Sequence, residues 1–334
     1  MTSKRFRLRV LTALAIATAL VGAACGEGSS GGSSTQDITV MLNWTPNNHH
    51  AGLYIAQEEG YFKDAGLNVK LIEPAQAGVE AVVAAGKAQF GIAQAESVLP
   101  AREQGVPVVS IATIFPHNDS ALMSLPAAGI NRPKDLEGKT YGGYGGALET
   151  ELISQLVKCD GGDPSKVKFV EVGNVDYLSG MQSKRFDVVW IFDGWDALKA
   201  KTVDNTPVNL IDFIDHTDCI PDWYTPVFIT SEKMIADKPD QVKAFLSALS
   251  KGYELAASDP AKAVADLKKG APELDDELIA ASAEYYKTRY VAAGSKWGTQ
   301  DAKVWDSFET FAEKAGLLKQ KVDAGRAFTN DYLP

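Results

Sequence analysis

The chain has 334 residues, with 33 Lys and Arg against 43 Asp and Glu and a formal net charge of −10. That length holds two domains of ordinary size, and 45% hydrophobic with 23% charged residues is a globular composition. The acidic balance argues against a nucleic-acid binder, which neutralises phosphates with Lys and Arg, and offers no basic face to an anionic membrane.

The first ten residues carry Lys4, Arg5, Arg7 and Arg9, and the apolar run LTALAIATALVGAA leads to Cys25. A basic start, a short apolar stretch and small residues before the cut predict a secretory signal over 1–24. The run is too short for a comfortable membrane span. The GAAC segment is similar to a lipobox, with Gly22 where the pattern prefers leucine, and points to lipid attachment at Cys25. The alternative is an ordinary secreted protein with an incidental cysteine. Residues 25–36 read as a Gly/Ser tether. Loss of the signal removes four basic and no acidic side chains and leaves a formal charge of −14. Cys159 and Cys219 are then disulfide candidates outside the membrane, with two buried free thiols as the alternative.

From Asp37 short apolar runs alternate with helical patterns. ITVMLNW reads as a strand and HAGLYIAQEEGYF as a helix ending near Gly60. NVKLIE, QFGIAQ and VPVVSIATIF read as strands, separated by helices over GVEAVVAAGKA and over ESVLPAREQG, where Pro100 is a candidate kink. A second series follows: KTYGGYGG, the helix ALETELISQLVK, the strand KVKFVEV, a helix around DYLSGMQS and the strand FDVVWIF. Such alternation predicts an α/β fold of parallel βαβ units. After the strand YTPVFITS, helices dominate. Val242, Phe245, Leu246, Leu249, Tyr253 and Ala256 fall on one helical face, with Asp237 as its candidate cap and Pro239 in the first turn. Asp259 and Pro260 restart the pattern. Two α/β lobes result, with 37–120 and 226–334 in lobe I and 121–225 in lobe II, and hinges near 115–126 and 221–230.

Four turns beyond strand ends carry unusual chemistry: NWTPNNHH (43–50), AQAES (93–97), YGGYGGALE (141–149) and WIFDGWDA (190–197). In parallel sheets all four face one crevice. The glycines of the third let backbone approach a ligand, before a helix N-terminus that could hold a phosphate, a sulfonate or a neutral group. The fourth puts Trp190, Phe192 and Trp195 beside Asp193 and Asp196. Rings with carboxylates describe a slot for a flat molecule bearing hydrogen-bond donors. Trp44 supplies an opposite face, and Asp222–Pro226 adds Trp223 and Tyr224. Lys and Arg are absent from the four turns, which weighs against an anion. The candidate ligand contacts are Asn43, Trp44, Asn47, His49, Glu96, Ser97, Gly143, Tyr144, Gly145, Phe192, Asp193, Trp195, Asp196 and Tyr224.

LNWTPNNHHAGLYIAQEEGYFKDAGL, DLEGKTYGG, VVWIFDGWDA, YTPVFITSE and AFTNDYLP together resemble the solute-binding proteins for thiamine pyrimidine precursors, the ThiY-like family. This family lies in a wider group with sulfonate- and taurine-binding proteins and a eukaryotic pyrimidine synthase. The resemblance implies a type II periplasmic-binding-protein fold of two closing lobes. It also implies an aminopyrimidine ligand, formylaminopyrimidine or hydroxymethylpyrimidine, and delivery to an ABC permease and ATPase outside the membrane. By the resemblance Trp44 stacks on the ring, Asn43, Asn47 and His49 reach its edges or order the turn, and Asp196 accepts from an amino group. The family usually has tyrosine at 193 and glutamate at 196, so a related amino-heterocycle is an alternative. Another solute (a riboflavin-like heterocycle, a sulfonate, taurine or nitrate) is a further one. The synthases carry a cysteine-rich motif and an active lysine, whereas the cysteines here are isolated. His49, His50, His117 and His216 show no metal-ligand spacing, and G-x-S-x-G, H-E-x-x-H and P-loop motifs do not occur. The expectation is therefore a lipid-anchored, extracytoplasmic monomer that is not an enzyme, with no cofactor and no metal.

Overall fold

A computed structural model describes residues 35–74, 78–173, 175–322 and 324–334. The predicted signal, Cys25 and most of the tether lie outside the described residues. Ten strands build two five-stranded sheets. The first contains β1 (Gln36–Met41), β2 (Leu67–Ile72), β3 (Phe90–Ala93) and β4 (Val108–Thr113). The second contains β5 (Ser120–Ser124), β6 (Thr140–Gly143), β7 (Lys168–Glu171), β8 (Val188–Phe192) and β9 (Asn209–Asp212). β10 (Val227–Ser231) returns to the first sheet, giving the orders β2-β1-β3-β10-β4 and β7-β6-β8-β5-β9.

Both sheets are mixed, which corrects the expectation of purely parallel units. β1 runs parallel to β2 and β3, and β6 runs parallel to β7 and β8. β10 lies antiparallel between β3 and β4, and β5 lies antiparallel between β8 and β9. The reason is the pair of crossings between sheets. The chain enters the second sheet straight from β4 and leaves it after β9, so the strand following each crossing runs against its neighbours. β5 and β9 carry no strand signal strong enough to separate them from a connecting segment.

The helix Pro239–Ser258 packs its predicted face against the first sheet, with Phe245 stacked on Phe90 at 3.9 Å between centroids. Asp237 does not cap it. Asp237 ends the preceding helix Glu232–Asp237, pairs with Lys233, and leaves Lys238 at the cap position without a side-chain bond. Pro239 instead presets the first turn. Asp259 does cap the next helix, accepting from the Lys262 N–H. Pro100 lies inside the helix Ala95–Glu103 without ending it.

One helix crossing places the site. Gly52, in the helix Ala51–Glu58, lies against Gly252 so closely that a Cβ at 252 would meet the Gly52 carbonyl oxygen at 2.1 Å. A Cβ at Gly52 would strike the Tyr253 ring at 2.3 Å. This approach brings the Tyr253 hydroxyl onto the His49 carbonyl at 2.7 Å and fixes the turn after β1. In the second sheet's lobe, a Cys159–Cys219 disulfide ties the helix Ala147–Cys159 to the segment preceding β10. No helix among the described residues is long and apolar enough to cross a membrane.

Candidate functional site

The turns that follow β1, β3, β6 and β8 meet at one cleft of about 380 Å³. These four strands are parallel within their own sheets, so the crevice survives although the sheets are mixed. Nine of the sequence-predicted residues line it: Asn43, Trp44, Asn47, His49, Glu96, Tyr144, Phe192, Trp195 and Asp196. Gln94, Gly146, Leu148, Glu149, Tyr177, Trp190 and Ile191 complete the lining. No lysine or arginine is among the lining residues.

The first wall is self-contained. Asn47 caps the short turn Asn48–His50 by accepting from the His49 N–H at 2.8 Å. The Asn47 N–H donates to His50 Nδ1 at 3.3 Å, so the His50 proton sits on Nε2 and donates to Asn43 Oδ1 at 2.9 Å. Tyr290 donates to the Asn48 carbonyl at 2.6 Å. Burial drops His50 to about 3, and burial with the neighbouring His50 holds His49 well below its usual value. Both imidazoles are therefore neutral at pH 7. His49 sits edge-on to Phe115, Phe192 and Tyr286, with Nε2 2.7 Å from the Tyr286 hydroxyl. Trp44, 37% exposed, and Tyr144, 48% exposed, stand at 6.5 Å and perpendicular, leaving ring faces open to the cleft.

Three carboxyl groups differ in what they offer. Glu149 is spent on its own loop: it accepts from the Tyr144 N–H at 2.8 Å, the Gly146 N–H at 3.3 Å and the Tyr141 hydroxyl at 3.0 Å. A carboxylate thus already takes two backbone donors of the loop that leads into the helix, where an anion would compete with it. Glu96 accepts from Trp223 Nε1 at 2.8 Å, and burial pushes it up to about 8 against that bond. It is a protonated acid at pH 7, able to donate. Asp196 is pushed up to about 6 by burial, opposed by the Phe192 N–H at 3.3 Å and by the Lys199 charge. It is mostly ionised at pH 7, able to accept. The cleft therefore presents one donor and one acceptor carboxyl group between aromatic rings.

Five predicted residues lie elsewhere. Ser97 turns to Glu80 and to the Gln94 carbonyl, closing the start of its own helix. Gly143 is buried where a Cβ would meet the Tyr141 ring at 2.6 Å and Glu149 at 2.8 Å. Gly145 serves the turn itself, at φ +79° beside Glu171. Tyr224 is buried, accepting from the Asp301 N–H at 2.8 Å. Asp193 accepts from Tyr285 at 2.8 Å and lines a second cavity of about 550 Å³ that shares no lining residue with the cleft. The opposite directions taken by Asp193 and Asp196 come from the π-helical turn Asp193–Ala197. Of the residues that sequence reasoning missed, Glu149 had a signal, an acid three residues beyond the helix start. Gln94 lies in the AQAES turn already singled out, and Tyr177 had none.

Residues 47–263 match the family model described as NMT1/THI5 like. The formylaminopyrimidine-binding protein of Halalkalibacterium halodurans is 27% identical over 310 residues, covering 90% of this chain and 92% of that protein. The 4-amino-5-hydroxymethyl-2-methylpyrimidine phosphate synthase of Legionella pneumophila is 25% identical over 301 residues, covering 89% and 92%. The periplasmic aliphatic sulphonate binding protein SsuA of Escherichia coli superposes with a TM-score of 0.69 at 14% identity, covering 87% of this chain and 91% of that one. This last likeness shows the periplasmic-binding-protein fold. The expectation that the chain is not an enzyme is overturned, because relatives of matching similarity are synthases by name. With the family model matching 217 of its 334 residues, the chain belongs to the NMT1/THI5-like family.

Proposed function

We propose that the chain binds an aminopyrimidine thiamine precursor, formylaminopyrimidine or hydroxymethylpyrimidine, in the cleft between its sheets. The observation that carries this reading is the pairing of Asp196 with Glu96 in an aromatic slot lined by no lysine or arginine. An exocyclic amino group donates to Asp196, a ring nitrogen accepts from Glu96, and Trp44 covers a ring face. About 380 Å³ lies within the range of small-ligand pockets, roughly 300–1,000 Å³. The name of the Halalkalibacterium relative supports the ligand class. A sulfonate fits poorly, since the Glu149 carboxylate stands at the glycine loop and already holds the Tyr144 and Gly146 N–H groups.

In this reading the protein is extracytoplasmic, held by a lipid on Cys25 after removal of 1–24. It closes lobe I (37–120 and 226–334) on lobe II (121–225) about 115–126 and 221–230, and passes its ligand as a monomer to an ABC permease and ATPase. A second reading, pyrimidine phosphate synthesis, is favoured by the names of relatives such as the Legionella synthase. One experiment separates them. Calorimetric titration with formylaminopyrimidine, hydroxymethylpyrimidine and taurine is run beside a chromatographic assay for the phosphorylated pyrimidine. Tight pyrimidine binding, lost in Asp196→Ala, supports the carrier. Product formation supports the synthase. Binding of taurine alone overturns both.

A further inference from the structure

We propose that Tyr285 and Ser282 clamp the turn Asp193–Ala197 to the opposite lobe, so that Asp193 is a positioning residue that sets Asp196 and Trp195 for the ligand. The clamp rests on the reading of the cleft as the ligand site. Its geometry stands apart from that reading. Both hydroxyls come from the helix Asp276–Tyr286, which packs with the elements of the first sheet, whereas the turn follows β8 of the second. The Ser282 hydroxyl donates to the Gly194 carbonyl at 2.6 Å. The Tyr285 hydroxyl lies 2.8 Å from Asp193 Oδ2 and 2.8 Å from Asp119 Oδ1. The Asp193 and Gly194 N–H groups donate to Asp119, to its carbonyl at 3.0 Å and to Oδ2 at 3.2 Å. Gly194 is pressed onto the tyrosines: a Cβ there would meet Tyr286 Cζ at 2.2 Å and Tyr285 Cδ1 at 2.6 Å. Two residues beyond Gly194 stands Asp196, at the cleft.

Counting protons shows how the clamp is set. Tyr286 donates to Asp119 Oδ2 at 2.5 Å, so its oxygen accepts from His49 Nε2. Tyr285 has one proton for two carboxylates, Asp119 and Asp193. A proton on Asp119 Oδ1 completes the set, donating to the Tyr285 oxygen while Tyr285 donates to Asp193. Burial raises Asp119 to about 7, against the bonds from Tyr286, Tyr285 and Gly194. The clamp is thus complete below that pH and one proton short above it. The surrounding titratable and charged groups are Asp193, Asp212, Asp215 and His117 on the cavity wall and Arg289, which stacks on the Tyr285 ring at 3.7 Å. Of these, the Asp193 charge also favours the protonated state of Asp119.

Amide hydrogen exchange over residues 190–198 of the ligand-free protein reads the clamp without any ligand. Corrected for intrinsic exchange, the segment exchanges more slowly at pH 6 than at pH 8 in the wild type. Tyr285→Phe accelerates it at least tenfold at pH 6 and flattens the pH dependence. Asp119→Asn, whose amide can donate to Tyr285 and accept from Tyr286, keeps the slow rate at pH 8. Asp193→Asn retains the slow rate at pH 6 and Asp193→Ala does not, and Asp193→Ala with Tyr285→Phe is no faster than either alone. Unchanged exchange in a folded Tyr285→Phe protein overturns the clamp. If the wild type binds no pyrimidine but the exchange pattern holds, the ligand reading fails and the clamp stands.

Discussion

The two walls of the cleft are held in different ways. The turn after β1, Asn43–His50, is fastened within its own lobe by Asn47, His50, Tyr253 and Tyr290, with both imidazoles kept neutral by burial. The turn after β8 is fastened across the sheets by Ser282 and Tyr285, from a helix that packs with the first sheet, and within its own sheet by Asp119, next to β5. One wall is therefore tied to the elements of its own sheet, and the other is tied across to a helix that packs with the first sheet. The difference explains why Asn, His and Trp suffice on the first side while the second uses acids. Neutral groups order a turn at little electrostatic cost, whereas carboxylates whose pKa lies near neutrality can respond to pH and to a ligand.

The comparison can be broken hardest at Asp196. Asp196→Ala removes a charge-assisted bond, and affinity for formylaminopyrimidine is expected to fall by about 10- to 100-fold, or roughly 1.5–3 kcal/mol. The pH profile follows the same group. Its pKa in the free protein is raised to about 6. Binding that needs the carboxylate weakens as pH falls through 6, at most about tenfold per unit, and calorimetry on Asp196→Asn shows no such slope below pH 6. On the side tied to its own sheet, Gly252→Ala drives a methyl into the Gly52 carbonyl. Overpacking of this kind costs about 1–3 kcal/mol, read as a lowered thermal midpoint with the exchange rate of the β8 turn unchanged. Trp44→Ala, at an exposed ring, leaves that midpoint in place and weakens pyrimidine binding about 3- to 10-fold, the roughly 0.5–1.5 kcal/mol of one stacking contact. The smallest effect belongs to Asn43→Ala, which deprives His50 Nε2 of its acceptor. A cost of about 1 kcal/mol in unfolding free energy is expected from that single bond.

What could be read in the sequence follows the range of the forces involved. Local pattern revealed the strands and helices that carry their own periodicity, the Asp259 cap and the four turns beyond β1, β3, β6 and β8. It did not reveal β5, whose five residues are all buried and whose place is set by partners 64 to 91 residues away. The site divides in the same way. Asn47 and Asp196 are conspicuous because polar and charged types rarely build cores, and Trp44 because it stands among such residues just beyond a strand. Asp193 looked equally conspicuous, yet a π-helical turn and the Tyr285 hydroxyl, 92 residues on, direct it away from the cleft. Glu149 shows the converse case, in which a residue with a plain capping role takes up two of the glycine loop's donors, the Tyr144 and Gly146 N–H groups.

The structure of the complex with formylaminopyrimidine tests the central claim most directly. The expected result is a pyrimidine ring against Trp44, its amino group on Asp196 and a ring nitrogen on Glu96, with Asp193 still bonded to Tyr285. A ligand held by Asp193 in the larger cavity, or a cleft ligand that leaves both Asp196 and Glu96 untouched, would contradict it.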